Sequence, residues 1–259
     1  MTKSISIALL ATGFIYADAV KLTDVEAKYN ASSKVEATKE LKQHIGLGFA
    51  NTTGNTETLN FDMDYLLKYK TLGYANEELN IEFGLNAYIS ENDDVRDNEE
   101  YKAHIKMEQM ILNGWFGYLS TNWLKNEFKN YDSKTGIGVG IGKEIIHSDN
   151  TSLKISFGVS YNFEEYSDGS EDYDYGALTQ YAKYTSKLND ISDLYVEFGA
   201  MENFDDFDDY ELSLVAGCQF AVAQNLNLSI EAEVDYDNMP SVGYEDTDTK
   251  TLIKLGYDF

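Results

Sequence analysis

The chain has 259 residues, with 45 Asp and Glu against 20 Lys and Arg, a formal charge of −25, and 20 Tyr, 13 Phe and 19 Gly beside a single Pro. Such acidity excludes the clustered basic surface that nucleic acid requires and a basic patch for anionic lipid, while one cysteine, Cys218, excludes an intramolecular disulfide framework or a multi-thiolate metal site. The aromatic and glycine content favours strands and tight turns, and a mean hydropathy of −0.40 suits a membrane protein only where every second residue faces water, as in a barrel.

Residues 1–19 read as a secretory signal peptide. Lys3 supplies a positive start, Ile5–Tyr16 an apolar stretch too short to span a bilayer as a helix, and Ala17-Asp-Ala19 a small-x-small cleavage pattern. Residues 20–40 lack periodicity and are expected to form a periplasmic segment, either loose or a short helix.

From Leu41 onward the dominant period is two, the mark of a strand with unlike faces. Twelve segments are expected as strands: 41–53, 56–70, 77–90, 99–112, 115–128, 134–146, 151–164, 173–187, 191–204, 208–222, 226–237 and 248–259. Their length of about ten residues matches a tilted strand crossing hydrocarbon, where soluble strands run to about half that. Segments 115–128 and 173–187 alternate imperfectly. Connectors fall into two classes. Thr71–Asn76, Asn113-Gly114, His147–Asn150, Asn189-Asp190 and Ala223–Asn225 are short, whereas most of the others are longer and acidic. The expected fold is all-β: a single antiparallel up-and-down transmembrane barrel over 41–259, in the outer membrane of a Gram-negative bacterium, with long loops extracellular and both termini periplasmic.

The first hairpin, Asn51-Thr-Thr-Gly-Asn-Thr-Glu-Thr58, together with Phe61-x-x-x-Tyr65 and the terminal Phe259, resembles the salt-induced outer membrane protein family (YdiY-like, a domain of unknown function). The resemblance implies an outer-membrane barrel and carries no catalytic residue.

On the barrel reading, one face of each strand lines the lumen. Lumen-lining candidates are Asp62, Asp64 and Lys68 on the second strand, Glu82 on the third, Lys102, His104, Lys106 and Glu108 on the fourth, Glu231, Glu233 and Asp235 on the eleventh, and Lys250 and Lys254 on the twelfth. Acids thus neighbour bases. They either line a narrow path for ions or small solutes or neutralise one another in a side-chain-filled lumen of a structural, envelope-stress barrel. Three acidic loops are expected: Glu91, Asp93, Asp94, Asp97, Glu99 and Glu100 in one; Glu164, Glu165, Asp168, Glu171, Asp172 and Asp174 in the next; and Glu202, Asp205, Asp206, Asp208, Asp209 and Glu211 in a third. Asp205, Asp206, Asp208 and Asp209 are the divalent-cation candidates, weighed against a merely solvated acidic face. His44, His104 and His147 are scattered, and no Gly-x-Ser-x-Gly or His-Glu-x-x-His occurs, so neither an enzyme nor a cofactor is expected.

The chain ends on Ile253, Leu255, Tyr257 and Phe259, alternating with Lys254, Gly256 and Asp258. This pattern resembles the terminal insertion signal of outer-membrane barrels. The expected partners are therefore outer-membrane lipid, lipopolysaccharide and the barrel insertion machinery, with divalent cations as a further expectation.

Overall fold

A computed structural model of the chain describes residues 40–52, 58–92 and 95–259. The expected signal peptide, most of the 20–40 segment and the tip of the first hairpin lie outside the described residues. The described chain is twelve strands: β1 (Glu40–Thr52), β2 (Thr58–Leu72), β3 (Glu78–Asn92), β4 (Val95–Leu112), β5 (Trp115–Asn126), β6 (Tyr131–His147), β7 (Thr151–Tyr166), β8 (Tyr173–Asn189), β9 (Ser192–Asn203), β10 (Tyr210–Ala223), β11 (Leu226–Asp237) and β12 (Thr247–Asp258). Each pairs antiparallel with its sequence neighbours, and β1 pairs with β12 to close the barrel.

Alternation sets the two faces. On β11, Leu228, Ile230, Ala232 and Val234 point outward while Asn227, Ser229, Glu231 and Glu233 point inward and are buried. Leu47, Phe49, Phe61, Leu85, Ile105, Leu119, Val139, Phe157, Phe198 and Leu214 continue the outward apolar band around the wall, each substantially exposed. The arrangement inverts a soluble domain, with polar groups inside and apolar groups outside, as lipid demands of a spanning barrel.

One end of the barrel carries short turns. Asn113 and Gly114 both take positive φ, 52° and 79°, the requirement of a tight two-residue hairpin. The 73–77 turn is held by Gln109 of β4, whose Oε1 accepts from Tyr74 N at 2.9 Å and whose Nε2 donates to Glu78 O at 3.2 Å.

The opposite end differs from expectation. β3 runs on to Asn92 and β4 starts at Val95, so Glu91 and Asp97 belong to strands rather than to a long acidic loop, while Glu99 and Glu100 lie inside the expected fourth segment. Glu165 likewise joins a strand, Glu164, Asp174, Glu202 and Glu211 lie within the expected strand segments, and 167–172 and 204–209 are left as the connections. These strands outrun their apolar alternation, because a ladder projecting beyond the lipid no longer needs an apolar outer face. Arg96 then bridges Glu91 and Glu99 there. Two smaller corrections concern the ends: β1 begins at Glu40, and β12 stops at Asp258, with Phe259 joined to β1 only by its N–H to Gln43 O at 2.9 Å. His147 closes β6 rather than sitting in a turn.

The two poorly alternating strands have a packing reason. β5 turns Phe116 and Tyr118 inward, over the inward glycines 142, 140 and 158, where any Cβ would meet those rings. β8 turns Tyr175 and Ala177 inward to pack with Met201, and leaves Gln180 facing out. Apolar residues therefore occur on the lumen face of both strands, which blurs the period of two.

Candidate functional site

The site is the lumen, and the alternation just described brings charged side chains into it from both walls. All thirteen lumen-lining candidates point inward; Lys68 and Asp235 are partly buried and the other eleven are buried. The structure brings them together in tiers.

In the tier nearest the middle, Lys254 is 1% exposed, with its Nζ 2.7 Å from Asp62 Oδ1, 3.2 Å from Glu231 Oε1 and 3.5 Å from Asp64 Oδ1. Asn86 Nδ2 donates to Asp62 Oδ2 at 2.9 Å, and Tyr195 Oη donates to Glu231 Oε2 at 2.6 Å. Below, at the seam, His44 Nδ1 lies 2.7 Å from Asp258 Oδ1, and its Nε2 3.6 Å from Asp64 Oδ2.

Toward the loop end, Glu100 Oε1 is shared by Lys102 and Lys250, each at 2.7 Å, and Glu233 Oε1 lies 3.7 Å from Lys102 and 3.9 Å from Lys250. Glu100 and Lys102 sit on β4, and Glu233 sits on β11, five strands away by the shorter way round. The tier therefore reaches from one wall to the other. Toward the turn end, Glu82 joins Lys68 at 2.8 Å and His104 at 3.1 Å, Glu108 joins Lys154 at 2.5 Å, and Lys106 lies over the Tyr181 ring at 5.2 Å.

Charged groups not among the candidates complete the filling. Lys134 of β6 pairs with Glu164 at 2.8 Å and with Glu211 of β10; Lys183 pairs with Glu197 at 2.8 Å, and Tyr181 donates to the same carboxylate. Extending the inward parity along β6 and β7 locates Lys134 and Glu164. No period on β8 points to Lys183. Desolvating so many charges is tolerable only because each is paired or hydrogen-bonded.

Inward glycines let aromatic side chains lie along the wall. The Tyr195 ring crosses Gly217 on its way from β9 to Glu231 on β11, and Tyr118 crosses Gly140 and Gly158 to approach Thr179 Oγ1 at 3.4 Å.

The loop end is tied together by Asn130, buried and in the left-handed region at φ 67°. Its carbonyl accepts from Ser167 N at 2.9 Å, its Oδ1 accepts from Asp168 N at 3.0 Å, and its Nδ2 donates to Ser241 Oγ at 3.3 Å. The 238–246 loop thus crosses the mouth to the opposite wall. In these loops, bonds from Ser170 hold the Asp168 carboxyl below the usual range, and burial pushes the Asp209 carboxyl up.

Among the four cation candidates, the carboxylates of Asp206 and Asp209 make local hydrogen bonds. Asp206 Oδ1 accepts from Asp208 N at 3.0 Å, Asp209 Oδ2 accepts from Asn203 Nδ2 at 2.7 Å, and Asp205 donates its N–H to Asn203. The Asp206 carboxylate thus caps a local turn. Among the described residues no group of three or more acidic, histidine or cysteine side chains is placed to hold a metal ion.

A family model described as a protein of unknown function, DUF481, matches residues 45–259. Among solved structures, an outer membrane channel from Pseudomonas putida F1 is 8% identical at a TM-score of 0.51, covering 87% of this chain and 97% of its own. The translocator domain of the autotransporter NalP from Neisseria meningitidis is 11% identical at a TM-score of 0.47, covering 88% of this chain and 90% of its own. The NanC porin is 10% identical at a TM-score of 0.46, covering 85% of this chain and 99% of its own. At such identities the likeness concerns fold alone. Nothing among curated protein sequences matches the chain.

Proposed function

The chain belongs to the DUF481 family of proteins of unknown function, and from that premise we propose that it is an outer-membrane barrel held shut by its own side chains, a structural component of the envelope. Lipid covers its apolar band and lipopolysaccharide surrounds its loop end. The turn end and both termini face the periplasm, where the barrel insertion machinery delivers it. The reading assigns no catalytic residue; in it His44 and His104, paired with Asp258 and Glu82, belong to the lumen network.

The observation that carries this reading is the tier of Glu100, Lys102, Glu233 and Lys250, which spans the lumen and is almost wholly buried. A path for ions would have to part those pairs. The small apolar clusters of Tyr175, Ala177 and Met201 and of Tyr195 and Val215 take up further lumen on the β8–β10 side.

A narrow pore for ions or small solutes is the second reading, supported by inward charge on β2, β3, β4, β11 and β12. Planar bilayers distinguish the two. Wild-type protein, shown by heat-modifiable gel mobility to be folded and inserted, is expected to be electrically silent. Replacing Glu100, Lys102, Glu233 and Lys250 together by Ser should bring conductance steps. Discrete steps from the wild-type barrel would overturn the closed reading in favour of the pore.

A further inference from the structure

Charged side chains on the outer face of the wall mostly have a partner or open surroundings. Glu91 and Glu99 flank Arg96, Lys125 joins Glu127 and Asp132, and Glu165 and Asp174 are exposed. Glu202 on β9 has neither. Its inward neighbours in sequence are Met201 and Asn203, so parity turns it outward, yet it is only 7% exposed. Among the described residues its Oε2 has no hydrogen-bond partner.

The surroundings of Glu202 are apolar and aromatic. Leu178 of β8 and Tyr210 of β10 stand directly opposite it on either side. The Phe204 ring, one outward position further on, lies across Gly176 of β8, where a Cβ would meet it at 3.2 Å. Tyr210 packs against Tyr236 at 5.9 Å, and Tyr236 Oη donates to Asn238 Oδ1 at 2.7 Å rather than to the carboxylate. One further polar group is near. Gln180 of β8 faces outward opposite Ala200, which makes it a diagonal neighbour of Glu202, and Ala200 contributes only a methyl between them. Diagonal neighbours on an antiparallel ladder lie within reach of each other's long side chains.

An ionised carboxylate set between Leu178 and Tyr210 without a cation is costly, and an ionisable group in a membrane-spanning wall marks a functional site. The complement is a cation that can also donate hydrogen bonds. A primary ammonium has three N–H donors, enough for Glu202 and the Gln180 amide oxygen together, and its charge suits the face of the Tyr210 ring. Tyr210 and Tyr236 stand at the level of an aromatic girdle, where headgroups meet acyl chains. Beneath them Phe198 and Leu214 offer an exposed apolar wall.

We propose that Glu202, with Gln180 and Tyr210, forms an outer-wall site for the primary ammonium headgroup of a membrane lipid, whose acyl chains lie along Phe198 and Leu214. The site is outside the lumen, so it stands whether the barrel is closed or open.

The test uses the full chain in dodecyl maltoside micelles, titrated with phosphatidylethanolamine, phosphatidylcholine or phosphatidylglycerol of identical acyl chains, with bound lipid counted by native mass spectrometry. The ethanolamine lipid should be retained at about tenfold lower concentration than the other two, as a hydrogen-bonded charge pair warrants. Glu202→Gln, which keeps the shape of the side chain, should erase that preference in protein shown to be folded by heat-modifiable gel mobility. Gln180→Leu, which alters no charge, should narrow it about threefold, and Glu165→Gln should leave it intact. Free ethanolamine at the same concentration should not displace the lipid. Equal retention of the three lipids, a full preference in either Glu202→Gln or Gln180→Leu, its loss in Glu165→Gln, or displacement by free ethanolamine would each overturn the proposal.

Discussion

Lys102 on β4 and Glu233 on β11 lie 3.7 Å apart across the lumen, although four strands stand between them around the wall by the shorter route. Both are buried, so their attraction acts with little solvent screening, and both share partners with Glu100 and Lys250. A network of this kind adds little over a well-packed apolar core, but breaking it at one member strands a charge.

That asymmetry makes Lys254 the most sensitive single position in the lumen. Lys254→Met leaves Asp62, Asp64 and Glu231 facing one another without their cation. The expected cost is about 3–5 kcal/mol, the usual penalty for removing one partner of a buried pair. Urea unfolding in liposomes, followed by the heat-modifiable band, measures it. Adding Asp62→Asn and Glu231→Gln should recover most of the loss. A Lys254→Met barrel as stable as wild type would mean the tier is hydrated rather than dry.

Tyr195 and Gly217 should behave as a coupled pair. Tyr195→Phe keeps the ring but removes the donor to Glu231, at a cost of about 1.5–3 kcal/mol for a hydrogen bond to a charged group. Gly217→Ala drives a methyl into the ring and should cost about 1–3 kcal/mol by overpacking. In a Tyr195→Ala background the same Gly217→Ala change should be nearly neutral. A double-mutant cycle on thermal stability reads the coupling, and additive losses would contradict the contact.

The outer face can be probed at Ile253, which is 53% exposed on the lipid side of β12. Ile253→Lys should destabilise by about 2–4 kcal/mol if the position lies near the bilayer midplane, and less toward the rim. Quantifying folded, membrane-inserted protein from cells expressing each variant checks this. Equal amounts with unchanged stability would contradict the register at this strand.

The pH dependence at the loop end has a definite sign. Burial raises the Asp209 carboxyl above its ordinary value, the nearby Glu211 and Glu164 carboxylates add to the rise, and the bond from Asn203 and the charge of Lys134 oppose it. A raised folded value means the group's stabilising contribution is complete below the unfolded carboxylate range and is lost as pH rises through the folded value. Asp209→Asn should therefore gain in melting temperature relative to wild type as pH increases from 4 to 8. A difference that shrinks or stays flat over that interval would show that Asp209 is solvated.

Much of the barrel was legible from local order alone. The strict alternation of Leu226–Tyr236 specifies a strand, its inward acids and its outward aliphatics, because a period of two places every residue on a face without reference to any other strand. By the same parity Asp62, Lys102, Glu231 and Lys254 are inward residues before any contact is known. Asn113-Gly114 likewise marks its turn through backbone sterics alone. Where charged residues replaced the outer apolar ones, as at Glu91 and Asp97, the same rule misplaced strand ends, since it reads lipid contact rather than hydrogen bonding.

What only the tertiary structure decided is which inward charges meet. Lys102 reaching Glu233, and Lys134 reaching Glu211, depend on the curvature and stagger of the closed sheet, which bring strands distant in sequence to face each other. The flat-lying paths of Tyr118 and Tyr195 depend on glycines one and two strands away. The short β1–β12 ladder is likewise invisible in sequence, because the pairing of the first strand with the last depends on closure of the whole sheet. Parity along a strand is a local property of the backbone, whereas contact across a lumen is set by the closure of the whole barrel.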